Sequence, residues 1–568
     1  MGSRRRWTAA VGALTAAAVA IPVAVGVGAQ SSYPRGETLY TSGTQYGPPS
    51  SWNPMQTCCY ATGTIGLVYE PLFRYDPIKD KFIPWLATSG TWNGKSSYTI
   101  KVRQGVKWSD GQPLTADDVV YTINLGKLKT VPYSNIYSFV RSVDKVDSET
   151  VRVNFKKPNY QEWANFIYNY PIVPQHIWQG RSEKEIVTGA NEKPVGTGPY
   201  LYSTNDQDRM VWVRNDDWWA KSQLGRQAPA KYIVDIVNGS NNVVLGQVLQ
   251  GGIDLSNNFL PGIASLVDRG TVSTYYPKAP YMLAANTAWL IPNTTKAPLN
   301  DKQFRRALAY SMDVDKIVKI DYKNIVSRSN PTGLLPVWNK YVDKGVASRL
   351  GFTYNPARAK ALLAQAGYKD TNGDGYVEGK DGKAINLSLI VPNGWTDWME
   401  AIKIIAAGAK PAGIQITPKF PDYNALVAQR NTGRFDLVIY NNEQIGNTPW
   451  RYYNYIFRLP ILKQQTDFNF GRYKNQQAWN LVQRLDATPV DDIAGMKRVA
   501  SQLQRIQLTD MPVIPLWYNG MWAQFNTSTW NNFPSHTGPN YTPSLWRGYL
   551  QMTGLDMLTS LKQKSSAG

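Results

Sequence analysis

The first half of the chain mixes strand patterns with helix patterns. Residues 97–108 (SYTIKVRQGVKW) and 150–158 (TVRVNFKKP) place apolar side chains at alternate positions, which is typical of half-buried strands. Between them, LTADDVVYTINLGK (114–127) predicts a helix, because Thr115 can cap a first turn that carries two aspartates. Residues 63–76 (GTIGLVYEPLFRYD) are interpreted as a helix followed by a turn.

The second half holds a regular succession of strands and helices. Strand patterns at 385–391, 414–420 and 434–442 are separated by helix patterns at 397–413 and 422–433. This β-α-β-α-β order predicts a parallel or mixed sheet, so the fold class is α/β.

The N-terminus carries an export signature. Three arginines, Arg4–Arg6, precede the apolar run WTAAVGALTAAAVAIPVAVGVGA (7–29), which ends in small residues. We expect a secretory signal cleaved after Ala29, and therefore an exported protein, periplasmic or extracellular and associated with the cell envelope. Retention of the run as a membrane anchor is the alternative.

Composition excludes several classes. The net charge is +20, but the basic residues are scattered and no nucleic-acid motif accompanies them, so no nucleic-acid partner is expected. The two cysteines, Cys58 and Cys59, are adjacent, which leaves a strained vicinal disulfide and two thiols both open. With two distant histidines they form no metal-ligand set.

One segment combines aromatic rings with amides. YNNEQIGNTPWRYYNYIF (440–457) begins at the carboxyl end of the predicted strand 434–442, and ligand clefts of α/β sheets lie outside such ends. Its predicted ligand contacts are Asn441, Asn442, Gln444, Asn447, Trp450 and Tyr453.

Seven segments, in order, resemble one known family. They are LVYEPLFRYDPIKDKFIPWLATSGTW with YTIKVRQGVKWSDGQPLTADDVVYT, IVPQHIW (172–178), PVGTGPYLY (194–202), VLQGGIDL (248–255), LNDKQFRRALAYSMDVDKIV (299–318), YNPARAKALLAQAGYKDTNGDG and RFDLVIY. Over roughly residues 36–550 the chain resembles the extracellular solute-binding proteins (family 5) of dipeptide, oligopeptide and nickel ABC importers.

The resemblance implies a two-lobed periplasmic-binding-protein type II fold with an extra inserted α/β domain (cluster C). It implies lobe I from 36–70, 195–285 and 515–560, an inserted domain at 71–194, and lobe II at 286–514. Such a protein is not an enzyme: it captures a small solute between lobes that close by a hinge, and its partners are membrane permease subunits. We expect a monomer.

The resemblance also bears on the solute. In the peptide-binding branch the segment after the last strand carries an aspartate that pairs with the peptide amino terminus, whereas here Glu443 is the only acid in 441–450. A buried ammonium without a carboxylate would be costly. Rings and amides suit a neutral, hydroxyl-rich ligand, and the chain resembles the cellobiose and β-oligosaccharide branch. The alternatives are a peptide binder of the same family and, more distantly, a secreted glycoside hydrolase, which would need two facing carboxylates.

Further aromatic segments supply candidate contacts for a cello-oligosaccharide-like solute. For any single tryptophan, a place in the interdomain core remains an equal alternative. The candidates are Tyr46, Trp52 and Asn53 at the mouth of the first lobe, Trp395 and Trp398 after the strand 385–391, and Trp517 and Tyr518 near the crossover to the first lobe.

One loop matches a calcium-binding pattern. DTNGDGYVEGKD (370–381) fits D-x-[DN]-x-[DN]-G, although its twelfth position is an aspartate and the usual residue is glutamate. An Asx-rich turn is the alternative. The expected ligands of a structural calcium ion are Asp370, Asn372, Asp374, the Tyr376 carbonyl and Asp381; no other cofactor is expected.

Overall fold

The computed structural model describes residues 33–44, 47–56, 60–441, 445–466, 468–545 and 548–564. All helices and strands in these ranges lie in one compact unit, Arg35–Gly568. None of the helices in these ranges is both long and apolar enough to span a membrane. The predicted signal segment 1–29 and the pair Cys58 and Cys59 lie outside the described residues.

The strands, numbered along the chain, are β1 Thr38–Ser42, β2 Phe73–Asp76, β3 Lys81–Pro84, β4 Ala87–Asn93, β5 Ser97–Val102, β6 Val140–Lys145, β7 Thr150–Phe155, β8 Tyr200–Asn205, β9 Arg209–Arg214, β10 Tyr232–Ile236, β11 Leu255–Ser256, β12 Ser273–Thr274, β13 Ala284–Pro292, β14 Ser327–Arg328, β15 Asn386–Ile390, β16 Gln415–Lys419, β17 Leu437–Tyr440, β18 Ile514–Gly520, β19 Gln524–Phe525, β20 Trp530–Asn531 and β21 Lys562–Gln563.

The α-helices are α1 Ala116–Leu125, α2 Tyr160–Asn169, α3 Gln175–Trp178, α4 Glu183–Thr188, α5 Trp219–Leu224, α6 Asn241–Leu249, α7 Ile263–Asp268, α8 Lys302–Tyr310, α9 Val314–Lys316, α10 Lys344–Leu350, α11 Pro356–Gln365, α12 Thr396–Ala409, α13 Tyr423–Thr432, α14 Trp450–Phe457, α15 Gln476–Asp486, α16 Ile493–Asp510 and α17 Leu555–Ser560.

Two large mixed sheets organise the molecule. The first has seven strands in the order β12-β19-β11-β1-β10-β9-β8, and the second has six in the order β14-β18-β13-β17-β15-β16. A four-stranded antiparallel sheet, β4-β5-β7-β6, is inserted in sequence between β1 and β8 of the first sheet. Three sheets with flanking helices confirm the predicted α/β class.

The predicted β-α-β-α-β succession is confirmed. Strand β15 pairs in parallel with β16 and with β17, and helices α12 and α13 form the crossovers. The antiparallel neighbours β13 and β18 make the sheet mixed. Since β15, β16 and β17 run in the same direction, their carboxyl ends meet at one edge.

Local sequence signals predict helix α1 correctly and segment 63–76 incorrectly. Thr115 forms the predicted cap of α1: its hydroxyl accepts from the Asp117 amide, and the Asp118 carboxylate accepts from the Thr115 amide. The interpretation of 63–76 as a helix followed by a turn is wrong. Residues Thr64–Val68 contain non-helical backbone, and Phe73–Asp76 form a hairpin strand with β3.

The domain boundaries stay a prediction. Strand β18 begins near the predicted boundary at 514/515 and pairs with β13 in the second sheet. The chain then returns to the first sheet through β19, which pairs with β11. The crossover between the two sheets therefore follows Gly520.

Candidate functional site

A cavity of about 370 Å³ is bounded by residues from both large sheets. The loop after β11 contributes one side of it, and β13, β17 and β18 contribute the other. Helices α12 and α13, Arg451 and Tyr455 of α14, and the segment 548–552 are further parts of the wall. The size is that of a small-molecule site.

Aromatic rings surround the amino-terminal ends of α12 and α13. The Trp395 ring lies 4.7 Å from the Trp398 ring, edge to face, and 6.2 Å from the Tyr423 ring at an interplanar angle of 29°. Tyr423, Val427 and Arg430 follow one face of α13, so a single helix face lines this part of the wall. Trp395 and Tyr423 are half-buried, which leaves part of their apolar surface for a ligand.

A second ring cluster lies on the side of the first sheet. The rings of Phe259 and Trp522 are 5.3 Å apart, edge to face. The Asn257 amide donates to the Trp522 carbonyl at 3.3 Å, which ties the loop after β11 to the segment after β18. The cavity therefore has apolar ring surface on both of its sides.

Amides with unused hydrogen-bonding capacity lie between the rings. Asn286 on β13 and Asn519 on β18 are in register, and each is 6% exposed. Their Oδ1 atoms, and Oε1 of Gln551, are buried and accept no hydrogen bond from any described residue. Because terminal amide torsions rotate easily, these groups can turn to a ligand donor.

One carboxylate, Asp397, belongs to the described part of the wall. Its Oδ2 accepts from the Tyr322 hydroxyl at 3.1 Å and its Oδ1 accepts from the Asn241 amide at 3.3 Å. Burial raises the pKa of Asp397 to about 6. Both oxygens are thus already engaged, and the carboxylate links the start of α12 to the start of α6.

A buried guanidinium lies at another part of the wall. Arg430 is sandwiched between the rings of Tyr440 and Phe470, each with its centroid 4.0 Å from the guanidinium carbon. Its Nη2 donates to Asn431 Oδ1 at 2.9 Å, and its Nη1 is buried without a partner among the described residues. Arg430 therefore adds a positively charged group to a wall of rings and amides.

The structure brings three of the predicted contacts to the cavity: Trp395, Trp398 and Asn441 line it. Trp398 is 2% exposed. Tyr46, Asn442 and Gln444, like Glu443, lie outside the described residues.

Three predicted contacts of the segment 440–457 do not reach the cavity. Trp450 and Tyr453 belong to helix α14, which is buried on nearly all sides and packs in the core. Asn447, in the turn before that helix, is buried and does not line the cavity. The interpretation of 440–457 as a cavity-facing segment is therefore corrected in part: beyond Ile445, Arg451 and Tyr455 line the cavity, whereas Trp450 and Tyr453 pack in the core.

The other predicted contacts are structural as well. Trp52 packs 4.3 Å from the Tyr202 ring, and the Asn53 amide donates to the carbonyls of Ile186 and Gly189. Trp517 is fully buried within the second sheet's core. The Tyr518 hydroxyl donates to the Leu334 carbonyl at 2.8 Å. None of these side chains lines the cavity in the described part of the chain.

Sequence reasoning missed several wall residues. Asn257 and Asn258 directly follow β11, so the rule that pointed to Asn441 would also have found them. Asn286 and Asn519 carry no local signal. They meet only because two distant strands pair.

The acidic residues that lie together in the predicted calcium loop differ in part from the predicted ligands. Carboxylate oxygens of Asp370, Asp374 and Glu378 lie within 4.8 Å of one another. Asp381, which the sequence placed among the ligands, instead pairs with Lys383 at 3.1 Å. Asp370 accepts from the amides of Gly373 and Gly375, and Asp374 accepts from the Tyr376 amide, as in an Asx-rich turn. Calcium at Asp370, Asn372, Asp374 and Tyr376 stays a prediction.

Residues 81–460 match the family model described as "Bacterial extracellular solute-binding proteins, family 5 Middle". The match covers more than half of the chain. The chain belongs to this family. Its two-lobed α/β fold is shared with solved structures of the family, and the protein is a solute-binding component of an ABC importer, not an enzyme.

Two similar proteins carry names that refer to oligopeptide binding, and one of them was solved with a bound oligosaccharide. A mannohexaose-bound periplasmic oligopeptide-binding protein of an oligopeptide ABC transporter from Thermotoga maritima is 40% identical, has a TM-score of 0.90, and is matched over 94% of this chain and 100% of that chain. Oligopeptide-binding protein AppA of Bacillus subtilis is 25% identical over 484 residues, which is 83% of this chain and 84% of AppA.

Membership in the family has three consequences. The protein works outside the cytoplasm, its ligand is a small solute, and its protein partners are membrane permease subunits.

Proposed function

We propose that this solute-binding protein captures neutral oligosaccharides, of the cello-oligosaccharide type, in the cavity between its two large sheets. It works as a monomer and hands the sugar to the permease of an ABC importer. The solved structure that is 40% identical carries mannohexaose, a neutral hexasaccharide, and supports this choice of ligand class.

The observation that carries the proposal is the composition of the wall. Rings such as Trp395, Tyr423 and Trp522 can cover the C–H faces of sugar units. The unused amide oxygens of Asn286, Asn519 and Gln551 can accept hydrogen bonds from hydroxyls. Sugar hydroxyls both donate and accept, which suits a wall with free acceptors and the Arg430 donor.

An oligopeptide is the second candidate. The names of AppA and of the Thermotoga protein both refer to oligopeptides. A zwitterionic peptide needs a carboxylate for its ammonium. In the described wall the carboxylate is Asp397, whose two oxygens already accept hydrogen bonds from Tyr322 and Asn241. Asp397 is also only 5% exposed, so little of its surface is open to an ammonium, which disfavours the peptide.

The test is a thermal-shift screen of the chain from residue 30, purified in denaturant and refolded so that no captured solute remains. The panel contains cello-, xylo-, manno- and laminari-oligosaccharides and a tripeptide. We expect at least one oligosaccharide series to raise Tm and the tripeptide to leave it unchanged. A shift with the tripeptide alone would replace the sugar by a peptide and would leave the transport role intact.

A further inference from the structure

A second, smaller cavity of about 180 Å³ adjoins the first. The two share Asn241, Trp395, Tyr423 and Asn424 in their walls. We name the smaller one the side groove; its own wall comes from the loops 238–240 and 393–394 and from Asp422. The shared residues make the side groove a continuation of the main cavity.

The side groove, like the main cavity, is built from both large sheets. The loop 238–240 follows β10 of the first sheet, and the loop 393–394 follows β15 of the second. The loops approach closely at their glycines, since a Cβ on Gly394 would lie 2.9 Å from the Gly239 carbonyl oxygen. A ligand lying in the side groove would therefore contact loops of both sheets at once.

Burial falls from the main cavity towards the side groove. Asn286 and Asn519, in the main cavity, are each 6% exposed. Trp395 and Tyr423, at the junction, are half-buried, and Asn393, Asp422 and Asn424 are exposed. The side groove therefore leads from the buried amides of the main cavity to solvent-exposed residues.

The chemistry of the wall continues along this route. The Trp395 and Tyr423 rings are close to parallel at the junction, and amides of Asn241 and Asn424 flank them. Among the described residues of the side groove the only charged side chain is Asp422, whose Oδ1 accepts from the Ala425 amide at 2.9 Å and so caps α13. A neutral chain would meet rings and amides all the way out.

We propose that the side groove is the exit subsite for one end of a linear oligosaccharide. The protein then holds one end of the sugar chain in the main cavity and lets the other end leave through the side groove. This inference rests on the proposed function. It narrows the ligand class to linear neutral chains that are longer than the main cavity holds, with a far end that tolerates extension.

The experiment is a length series with a plugged variant. Gly239 lines the side groove, its backbone lies outside the left-handed region, and a Cβ there meets no atom within 4 Å. Gly239→Phe should therefore fill the side groove without straining the chain. Gly246→Phe is the matched control, because Gly246 also has open space at its Cβ and lines neither cavity.

Affinities are measured by calorimetry for one oligosaccharide series from two to eight units. For the wild type and Gly246→Phe we expect the longest chains to bind about tenfold more tightly than the shortest that binds. For Gly239→Phe we expect unchanged affinity for short chains and loss of this tenfold gain. If Gly239→Phe binds the longest chain as tightly as the wild type does, the exit subsite is refuted, while sugar capture stands.

A second measurement needs no variant. The wild type is titrated with an eight-unit chain carrying a bulky fluorophore at one end, and separately with the label at the other end. We expect one labelled chain to bind as tightly as the unlabelled chain and the other to bind at least tenfold more weakly. Rejection of both labels overturns the exit subsite. If no unlabelled oligosaccharide of any length binds, the proposed function itself fails.

Discussion

Replacing Trp395 by alanine tests the ring wall directly. Trp395 is half-buried, lines both the main cavity and the side groove, and packs on Trp398 and Tyr423. Loss of one stacked aromatic platform removes about 1–2 kcal/mol of binding free energy. This corresponds to a dissociation constant about five- to thirtyfold higher. Titration calorimetry with mannohexaose and cellohexaose measures the change.

A matched control separates binding from folding. Trp479 on α15 is also half-buried, with the Arg458 guanidinium 5.7 Å from its ring centroid, and it lies outside the cavity wall. Trp479→Ala should leave sugar affinity unchanged. Equal affinity of the wild type and Trp395→Ala, with both folded by circular dichroism, would refute the claim that this ring stacks on the sugar.

Three further predictions concern the amides, the pH response and the calcium loop. Asn286→Ala and Asn519→Ala should each weaken oligosaccharide binding by about 1 kcal/mol. Because each change removes a buried oxygen that has no partner among the described residues, the free energy of unfolding should stay unchanged or rise. A lower free energy of unfolding would contradict this. Burial raises the pKa of Glu70 to about 7, so the folded protein holds the Glu70 proton and its free energy of unfolding falls as pH rises from about 4.5 to 7. In urea titrations the wild type should lose about 3 kcal/mol of stability over this range relative to Glu70→Gln. Parallel pH profiles of the two proteins would refute this prediction. If the loop at Asp370 holds calcium, chelation should lower the Tm of the wild type and not that of Asp370→Ala; equal responses would exclude the ion.

Local patterns predicted the elements that depend on local physics. The capping box at Thr115 and the strand patterns of β15, β16 and β17 are properties of short segments, and the structure contains them. The segment 63–76 has an apolar helix-like composition, but Gly66 adopts a positive φ of 99° and the chain turns into β2. There the tertiary pairing of β2 with β3 overrides the local pattern.

The site was only partly predictable for a related reason. The rule that clefts lie beyond the carboxyl ends of strands found Trp395 and Asn441. It failed for Asn447, Trp450 and Tyr453, because the aromatic stretch folds into helix α14, of which Arg451 and Tyr455 reach the cavity while Trp450 and Tyr453 pack in the core. Asn286 and Asn519 lie within strands, and only the pairing of β13 with β18 reveals that their amides are neighbours.

The most direct test of sugar capture is calorimetric titration of the refolded, solute-free protein with mannohexaose, followed by the same titration with a hexapeptide. We expect saturable one-to-one binding of mannohexaose with a negative heat-capacity change, because apolar ring surface is covered, and no binding of the peptide. Saturable binding of the peptide, with no heat from mannohexaose or from cellohexaose, would contradict it.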